Sequence, residues 1–479
     1  MSFIFYCYLF LQLFILISSS TFIFDETKKK QLEQLIEKQK KLAKMHTVGI
    51  IITNNETTLY QKIFSEDNKI TNQTPFILGS ISKSFTALSI LKLKNFTTIV
   101  NQTLDNFDLG KYLSKELLKN ITVGELLNHT SGLDAFSPKQ PYKKGEYSYS
   151  NYGYSLLGKV IEKVSNMKYS KYVEENIFKP LGMNNTRAEY NEYIIQSYDN
   201  FLGARSKFSG LKSKMNQKDG FFIPAGFISS SIEDMGKYLR FYLDKNNSDY
   251  VSKMTVCSVE EKHNVYYGMG IHVINQSDNI IYHHNGGTSS FLSDFYIYPS
   301  LNVAFLVLTN TNDLLCMGPS YQFVTALQNF LMYNANNVYD GVDSSLFLYY
   351  HFTYDCLFLF IVSIPITYLV ITIVRKIKRK KYTWFNDIKG IIIFAFDILI
   401  LFILPIVVLI YCFLINANYD FIITNVKDFF YTIITVCVAL WLTFIIKIVY
   451  LILYQKFNWE KFENKDDKME SLVNMNADT

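Results

Sequence analysis

Asp25–His46 is rich in Lys and Glu and carries Leu32, Leu35, Ile36 and Leu42 at helical spacing, which predicts one amphipathic helix. Val48–Ile52 is a short uninterrupted apolar run, the pattern of a buried strand, and Thr58–Phe64 alternates as its expected hairpin partner. Phe85–Leu93 reads as a buried helix. Phe295–Tyr298 and Val303–Leu308 are strand-like, with Pro299–Asn302 as the turn between them. A β beginning, a helical middle and a β end predict an α+β domain with an insertion, spanning residues 21–350.

The longest apolar runs lie outside that stretch. Phe3–Ile17 is apolar or aromatic except for Gln12, and Ser18–Ser20 follow. This reads as a secretory signal over residues 1–20, or as an uncleaved anchor. Three segments at about Cys356–Val374, Ile391–Ile415 and Phe429–Tyr454 are each near or above the roughly 20 residues that cross a bilayer as a helix. The connection Arg375–Lys389 holds seven basic residues and Asn416–Asp428 holds only Lys427. Basic loops stay cytoplasmic, so residues 21–350 are expected on the exoplasmic side and the tail 456–479 inside. Asp397 and Lys447 would then lie about 12 Å deep from the cytoplasmic face, at a common level where they could pair. A lipid bilayer is thus one expected partner.

The net charge of +5 is small for 479 residues and argues against coating nucleic acid. Aromatics at 16% with only 9 Pro argue against disorder, and a mean hydropathy of +0.08 agrees with segments in lipid. Cys257 and Cys316 are the only cysteines between residues 21 and 350, so one bridge or two buried free thiols are open. No CxxC or His/Cys cluster points to a metal, and no motif points to a cofactor. Asn-x-Ser/Thr sequons occur at Asn55, Asn72, Asn95, Asn101, Asn120, Asn128, Asn184, Asn246 and Asn275. All but Asn128, which sits inside a candidate site motif, are glycosylation candidates.

Three stretches carry candidate chemistry. In Phe76-Ile-Leu-Gly-Ser80-Ile-Ser-Lys83, Ser-x-x-Lys puts a hydroxyl and an amine one helical turn apart on one face. The amine can take the serine proton while backbone N–H groups at the helix start stabilise an oxyanion. The same spacing recurs at Ser89–Lys92, Ser165–Lys168 and Ser209–Lys212, but only Ser80 follows an apolar strand-like run and a glycine. The second stretch is Tyr147-Ser-Tyr149-Ser-Asn151-Tyr-Gly153, where a tyrosine flanked by cations can act as a base and an asparagine can hold a substrate carbonyl. The third is His283-His284-Asn285-Gly286-Gly287, whose glycines admit close backbone approach. Each alone is also compatible with packing: Tyr-x-Asn recurs at Tyr198–Asn200, and a lone histidine is commonly structural.

In this order and spacing the three stretches resemble the serine β-lactamase and penicillin-binding-protein-like family, nearest its class C and esterase-like branch. Further likeness lies in Ile121-Thr-Val-Gly-Glu-Leu-Leu-Asn-His129-Thr-Ser-Gly-Leu133, Pro224-Ala-Gly226-Phe-Ile-Ser-Ser, Tyr267-Gly-Met-Gly270 and Leu308-Thr-Asn310. The resemblance covers about Val48–Asn310 and implies an antiparallel sheet flanked by terminal helices, an inserted helical subdomain, and a site between them. It also implies that Ser80 is the nucleophile, Lys83 its amine partner, Tyr149 the base and later acid, and Asn151 a substrate contact. His284 takes the place of the lysine of a Lys-Thr-Gly motif, Gly286 completes that motif, and the N–H groups of Ser80 and Gly287 form the oxyanion hole. Lys83 and His284 are expected to hold Tyr149 toward its deprotonated form. The branch often has a second glycine where this chain has Ser290, whose side chain would narrow the site.

The activity this implies is a membrane-anchored serine hydrolase with a small-molecule or peptide acyl substrate: a small ester, a D-amino-acid peptide or a lipid-like acyl compound. A D-Ala-D-Ala-type peptidase and a catalytically inactive binding protein are the competing readings. The sequence leaves the oligomeric state open.

Overall fold

Thr47–Thr53 (β1) is buried at every position, as a run β-branched everywhere but Gly49 suits in a central strand. In this computed structural model the described residues are 22, 24–43, 45–189, 192–195, 197–199, 211–213, 220–276, 279–288, 290–312 and 318–333, with short stretches between 398 and 449. The other strands of the main sheet are β2 (Thr58–Ser65), β3 (Val259–Lys262), β4 (Val265–Tyr267), β5 (His272–Gln276), β6 (Asn279–Gly287), β7 (Leu292–Tyr298) and β8 (Val303–Thr309). Their order is β2-β1-β8-β7-β6-β5-β4-β3, antiparallel at every pairing. The helices used below are α1 (Glu26–Leu42), α2 (Ser82–Leu91), α3 (Asn151–Ser165), α4 (Ile232–Leu243) and α5 (Gly318–Tyr333).

Side chains alternate across a strand, and β1 uses both faces. Val48, Ile50 and Ile52 join Leu32 and Ile36 of α1 and Phe323, Leu327 and Leu331 of α5 in one apolar layer. Ile51 joins the opposite layer with Ile232 and Met235 of α4. Gly49 and Gly236 permit that approach: a Cβ on Gly236 would lie 2.3 Å from Ile51 Cδ1, and one on Gly49 would lie 2.8 Å from Ile232 Cγ2. At roughly 1.5–3 kcal/mol per buried aliphatic side chain, these two layers hold the sheet.

The expected elements are present. Asp25 caps α1 by accepting from the Lys28 N–H at 2.7 Å. The β1–β2 hairpin forms, and β7 and β8 are joined through Pro299–Leu301 with Asn302 at φ +48. Helix α2 begins at Ser82, three residues before the apolar run at Phe85, because Ser82, Lys83 and Ser84 are polar yet fully buried. Everything between β2 and β3 is the insertion, and its helices share the layer that holds α4. Cys257 is a free, exposed thiol, which corrects both the bridge and the buried-thiol expectations for it; Cys316 lies outside the described residues. Asn95, Asn101, Asn120, Asn184, Asn246 and Asn275 are exposed, while Asn55, Asn72 and Asn128 are half-buried.

The chain divides into two compact units, Met1–Phe201 with Arg205–Tyr349, and Leu202–Ala204 with Tyr350–Thr479. Among the described residues no helix is long and apolar enough to cross a membrane. The signal segment, the Asp397–Lys447 pair and nearly all of the three long apolar segments lie outside the described residues.

Candidate active site

Ser80 lies in the single turn Gly79–Ile81 that leads into α2. Gly79 adopts φ +53, a left-handed conformation that favours glycine. It also leaves no room for a side chain, since a Cβ there would meet Gly286 C and Gly287 N at 2.7 Å. Reciprocally, a Cβ on Gly286 would meet Leu78 O at 2.0 Å and Ser80 N at 2.9 Å. The end of β6 is therefore pressed, backbone on backbone, against the serine turn. Ser293 of β7 fastens the contact by donating its hydroxyl to Leu78 O at 2.6 Å. This brings Ser80, Gly286 and Gly287 together as the sequence motifs implied.

Lys83 is fully buried, and among the described residues no carboxylate pairs with it. Its Nζ meets three oxygens: Asn151 Oδ1 at 2.6 Å, Ala225 O at 2.6 Å and Ser80 Oγ at 3.1 Å. Burial pushes the amine well below its ordinary range. A neutral amine has two N–H donors and one lone pair. If the amine is neutral and the two carbonyl oxygens take both donors, its lone pair faces the Ser80 hydroxyl; an ammonium would donate to all three oxygens. Three oxygens thus hold the Lys83 amine in place beside Ser80.

Tyr149 and Asn151 flank the start of α3. Ser150 caps the helix by accepting from the Gly153 N–H at 3.0 Å, and donates its own hydroxyl to Asp134 O at 2.7 Å. The Tyr149 ring lies beneath Lys83, with Nζ 4.6 Å from its centroid. On the other side is His129, whose ring centroid is 4.4 Å from that of Tyr149. His129 takes a left-handed φ of +60 and accepts at Nδ1 from the Ser150 N–H at 3.1 Å. Its buried Nε2 has no partner.

His284 lies on β6 and is buried with both ring nitrogens engaged: Nδ1 is 2.6 Å from Asn285 O, and Nε2 is 3.2 Å from the Tyr267 hydroxyl. Burial, His272 and Lys83 push it well below the usual histidine range, and the Asn285 carbonyl works against them. Sequence reasoning had no role for Ala225, Tyr154, Tyr267 or His129, although the last two and Ala225 stood in quoted motifs. The glycines of Tyr267-Gly-Met-Gly270 explain that motif physically. Gly270 adopts φ +72, and a Cβ there would meet Lys83 O at 2.7 Å, so the turn abuts the first residues of α2. Ser290 is buried, and its hydroxyl is 2.8 Å from Ser197 Oγ.

Comparison with known proteins agrees with this fold. The family profile described as Beta-lactamase matches residues 32–317. The chain is 25% identical over 328 residues to Beta-lactamase-like protein 4 of Dictyostelium discoideum, covering 59% of this chain and 55% of that protein. It is 24% identical over 322 residues to Protein flp of Staphylococcus aureus, covering 59% of this chain and 63% of that protein. The similarity thus spans less than two thirds of the length of either relative. In fold, the chain is similar to an octameric penicillin-binding protein homologue from Pyrococcus abyssi, with a TM-score of 0.53, 23% identity, and coverage of 63% of this chain and 77% of the other.

Proposed function

Taking as premise that the chain belongs to the β-lactamase family, we propose that it is a serine hydrolase that cleaves an ester or amide through an acyl-enzyme on Ser80. The observation that carries this reading is the arrangement around Lys83, a buried amine with no acid beside it, held by two carbonyl oxygens at 3.1 Å from the Ser80 hydroxyl. A buried lysine kept for stability alone would be matched by an acid.

Ser80 Oγ attacks the acyl carbon as its proton passes to Lys83 Nζ. The carbonyl electron pair moves onto oxygen, which takes hydrogen bonds from the backbone N–H groups of Ser80 and Gly287. One such donor is worth roughly 10²–10³ in rate. When the pair returns, the bond to the leaving group breaks, and the proton reaches the leaving atom by way of Tyr149. Water repeats the sequence on the acyl-enzyme: its proton goes to the base, its oxygen joins the acyl carbon, and Ser80 Oγ departs with a proton. Asn151, held by Lys83, contacts the substrate carbonyl. His284 in place of a lysine favours the esterase-like branch over a D-Ala-D-Ala peptidase. The apolar segments and their charge bias support a membrane-anchored, exoplasmic placement, to be checked by a glycosidase-induced mobility shift at the exposed sequons.

The test is labelling of the full chain by a fluorophosphonate probe beside Ser80→Ala. Labelling of the wild type alone is expected. Labelling of neither, with both folded, would establish an inactive binding protein, and equal labelling would mean another nucleophile.

A further inference from the structure

Hydroxyls buried in a helix commonly bond within it, to a carbonyl three or four residues back. In α2, Ser84 and Ser89 do so, donating to Ile81 O and Phe85 O at 2.8 Å each. Ser82 and Thr86 reach out of the helix instead. The Ser82 hydroxyl accepts from the Ile228 N–H at 3.0 Å, and the Thr86 hydroxyl lies 2.7 Å from Pro224 O, nearer than the 3.3 Å to Ser82 O in its own helix. Both side chains are fully buried. They stand one residue before Lys83 and three after it, and they hold the two ends of the segment 224–228. Within that segment is Ala225, whose carbonyl oxygen lies 2.6 Å from Lys83 Nζ.

Three further contacts support this hold. The Leu78 N–H donates to Ile228 O at 2.9 Å, which ties the same segment to the chain two residues before Ser80. Gly158 of α3 lies against Pro224, since a Cβ there would be 2.3 Å from Pro224 Cγ. The Tyr169 hydroxyl lies 2.7 Å from Thr86 Oγ1. With Tyr169 as donor to Thr86, the single threonine proton is left for Pro224 O, which can only accept. The place of the Ala225 carbonyl is thus set by its neighbours on both sides and not by its own methyl group.

We propose that Ser82 and Thr86 are positioning residues that hold the segment 224–228 so that the Ala225 carbonyl stays on the Lys83 amine. A carbonyl partner favours the ammonium over the amine, so displacing Ala225 lowers the proton affinity of Lys83 and frees Nζ to move away from Ser80. The other titratable groups around that amine are Tyr149 and Tyr154, with Nζ 4.6 and 5.7 Å from their ring centroids, and His129 and His284, which interact with its charge. All four are retained in the variants below. The consequence for Ser80 rests on the hydrolase reading; the hold on the amine does not.

The experiment is titration of full-length protein carrying ¹³C at lysine Cε, the Lys83 resonance being the one absent from Lys83→Met. Thr86→Val keeps the volume and removes the hydroxyl. Ser82→Ala releases the Ile228 N–H at the other end of the segment. Each is expected to lower the Lys83 midpoint by about one pH unit, roughly a tenfold loss of proton affinity. Thr86→Ser should restore the wild-type midpoint, and Ser89→Ala, which loses a hydroxyl bonded within α2, should leave it unmoved. Thermal midpoints that fall while the Lys83 titration stays in place would show a purely structural role and overturn the proposal. So would a Lys83 that does not titrate before the protein unfolds. Should Thr86→Val not fold, Ser82→Ala reads the same quantity. Fluorophosphonate labelling of Ser80 should be about tenfold slower in both variants at a pH where the amine is neutral in all of them. A wild type that does not label while the Lys83 midpoints shift as stated would remove the hydrolase reading and leave the positioning assignment standing.

Discussion

Two buried ionisable groups in the same domain are treated in opposite ways. Asp234 of α4 is fully buried and surrounded by donors: the Asn185 N–H at 2.6 Å, the Thr186 hydroxyl at 3.0 Å and Lys237 Nζ at 2.9 Å. Its charge is matched from three sides, and it joins Asn185 and Thr186, from an otherwise irregular stretch, to α4. Lys83 is buried just as deeply, with no acid beside it among the described residues, only the uncharged oxygens of Asn151, Ala225 and Ser80, and burial pushes its pKa down. A buried charge without a partner costs several kcal/mol, whereas a neutral amine avoids most of that cost and retains a lone pair. The first arrangement is what stability selects and the second what a base requires.

Substitutions should separate the two. Lys83→Met is expected to slow Ser80 labelling about 10²–10⁴-fold, the usual contribution of a positioned base. It should leave unfolding free energy unchanged or raised, because an apolar side chain of similar volume has no charge to desolvate. Asp234→Asn should do the reverse. It leaves the donors of Asn185 and Thr186 poorly matched and is expected to destabilise by about 2–4 kcal/mol, with the labelling rate per folded molecule intact. Chemical denaturation and labelling on the same samples read both, and equal stability losses for the two variants would dissolve the distinction.

The pH dependence sharpens it further. The Lys83 pKa is depressed in the folded state from an ordinary value of 10.5. Between the two values the unfolded chain binds a proton that the folded chain does not, so stability rises with pH across that window. The slope is at most about 1.4 kcal/mol per pH unit for one proton. Lys83→Met lacks that proton, so the stability difference between wild type and variant should shrink as pH is raised from 8 toward 10. A constant difference would mean that Lys83 is charged in the folded protein.

What the sequence disclosed and what it withheld divide along a physical line. Ser80, Lys83, Tyr149, Asn151, His284, Gly286 and Gly287 stand in short motifs because the proposed chemistry demands particular side chains at particular spacings. The strand β1 and helix α1 were readable because burial on one or both faces imposes a period. Ala225 was not readable as a participant, because it acts through its carbonyl, 142 positions from Lys83, and any residue has one. The bond from the Tyr154 hydroxyl to Leu127 O was hidden for the same reason, since its acceptor is again a backbone carbonyl. The start of α2 was misplaced because buried Ser82, Lys83 and Ser84 look like surface residues to a hydropathy pattern.

Ser290 gives the smallest expected effect and tests the site from its rim. In sequence the resemblance places a glycine at this position, which suggested that a side chain there narrows the site. In the structure its hydroxyl is hydrogen-bonded to Ser197 Oγ at 2.8 Å. The surrounding turn is fixed by Thr288, whose hydroxyl accepts from the Phe291 N–H at 2.9 Å, and by Phe291 itself, packed edge-on against Phe76 at 6.5 Å. Ser290→Gly therefore removes one buried hydrogen bond and adds backbone freedom to the unfolded chain, together costing about 1–2 kcal/mol of stability. The labelling rate of Ser80 should stay within about twofold of wild type, since a hydroxyl pointed at Ser197 takes no part in the reaction. A tenfold gain in rate would mean instead that the side chain obstructs the substrate, and that the path to Gly286 and Gly287 of β6 is narrower than the packing of this turn implies.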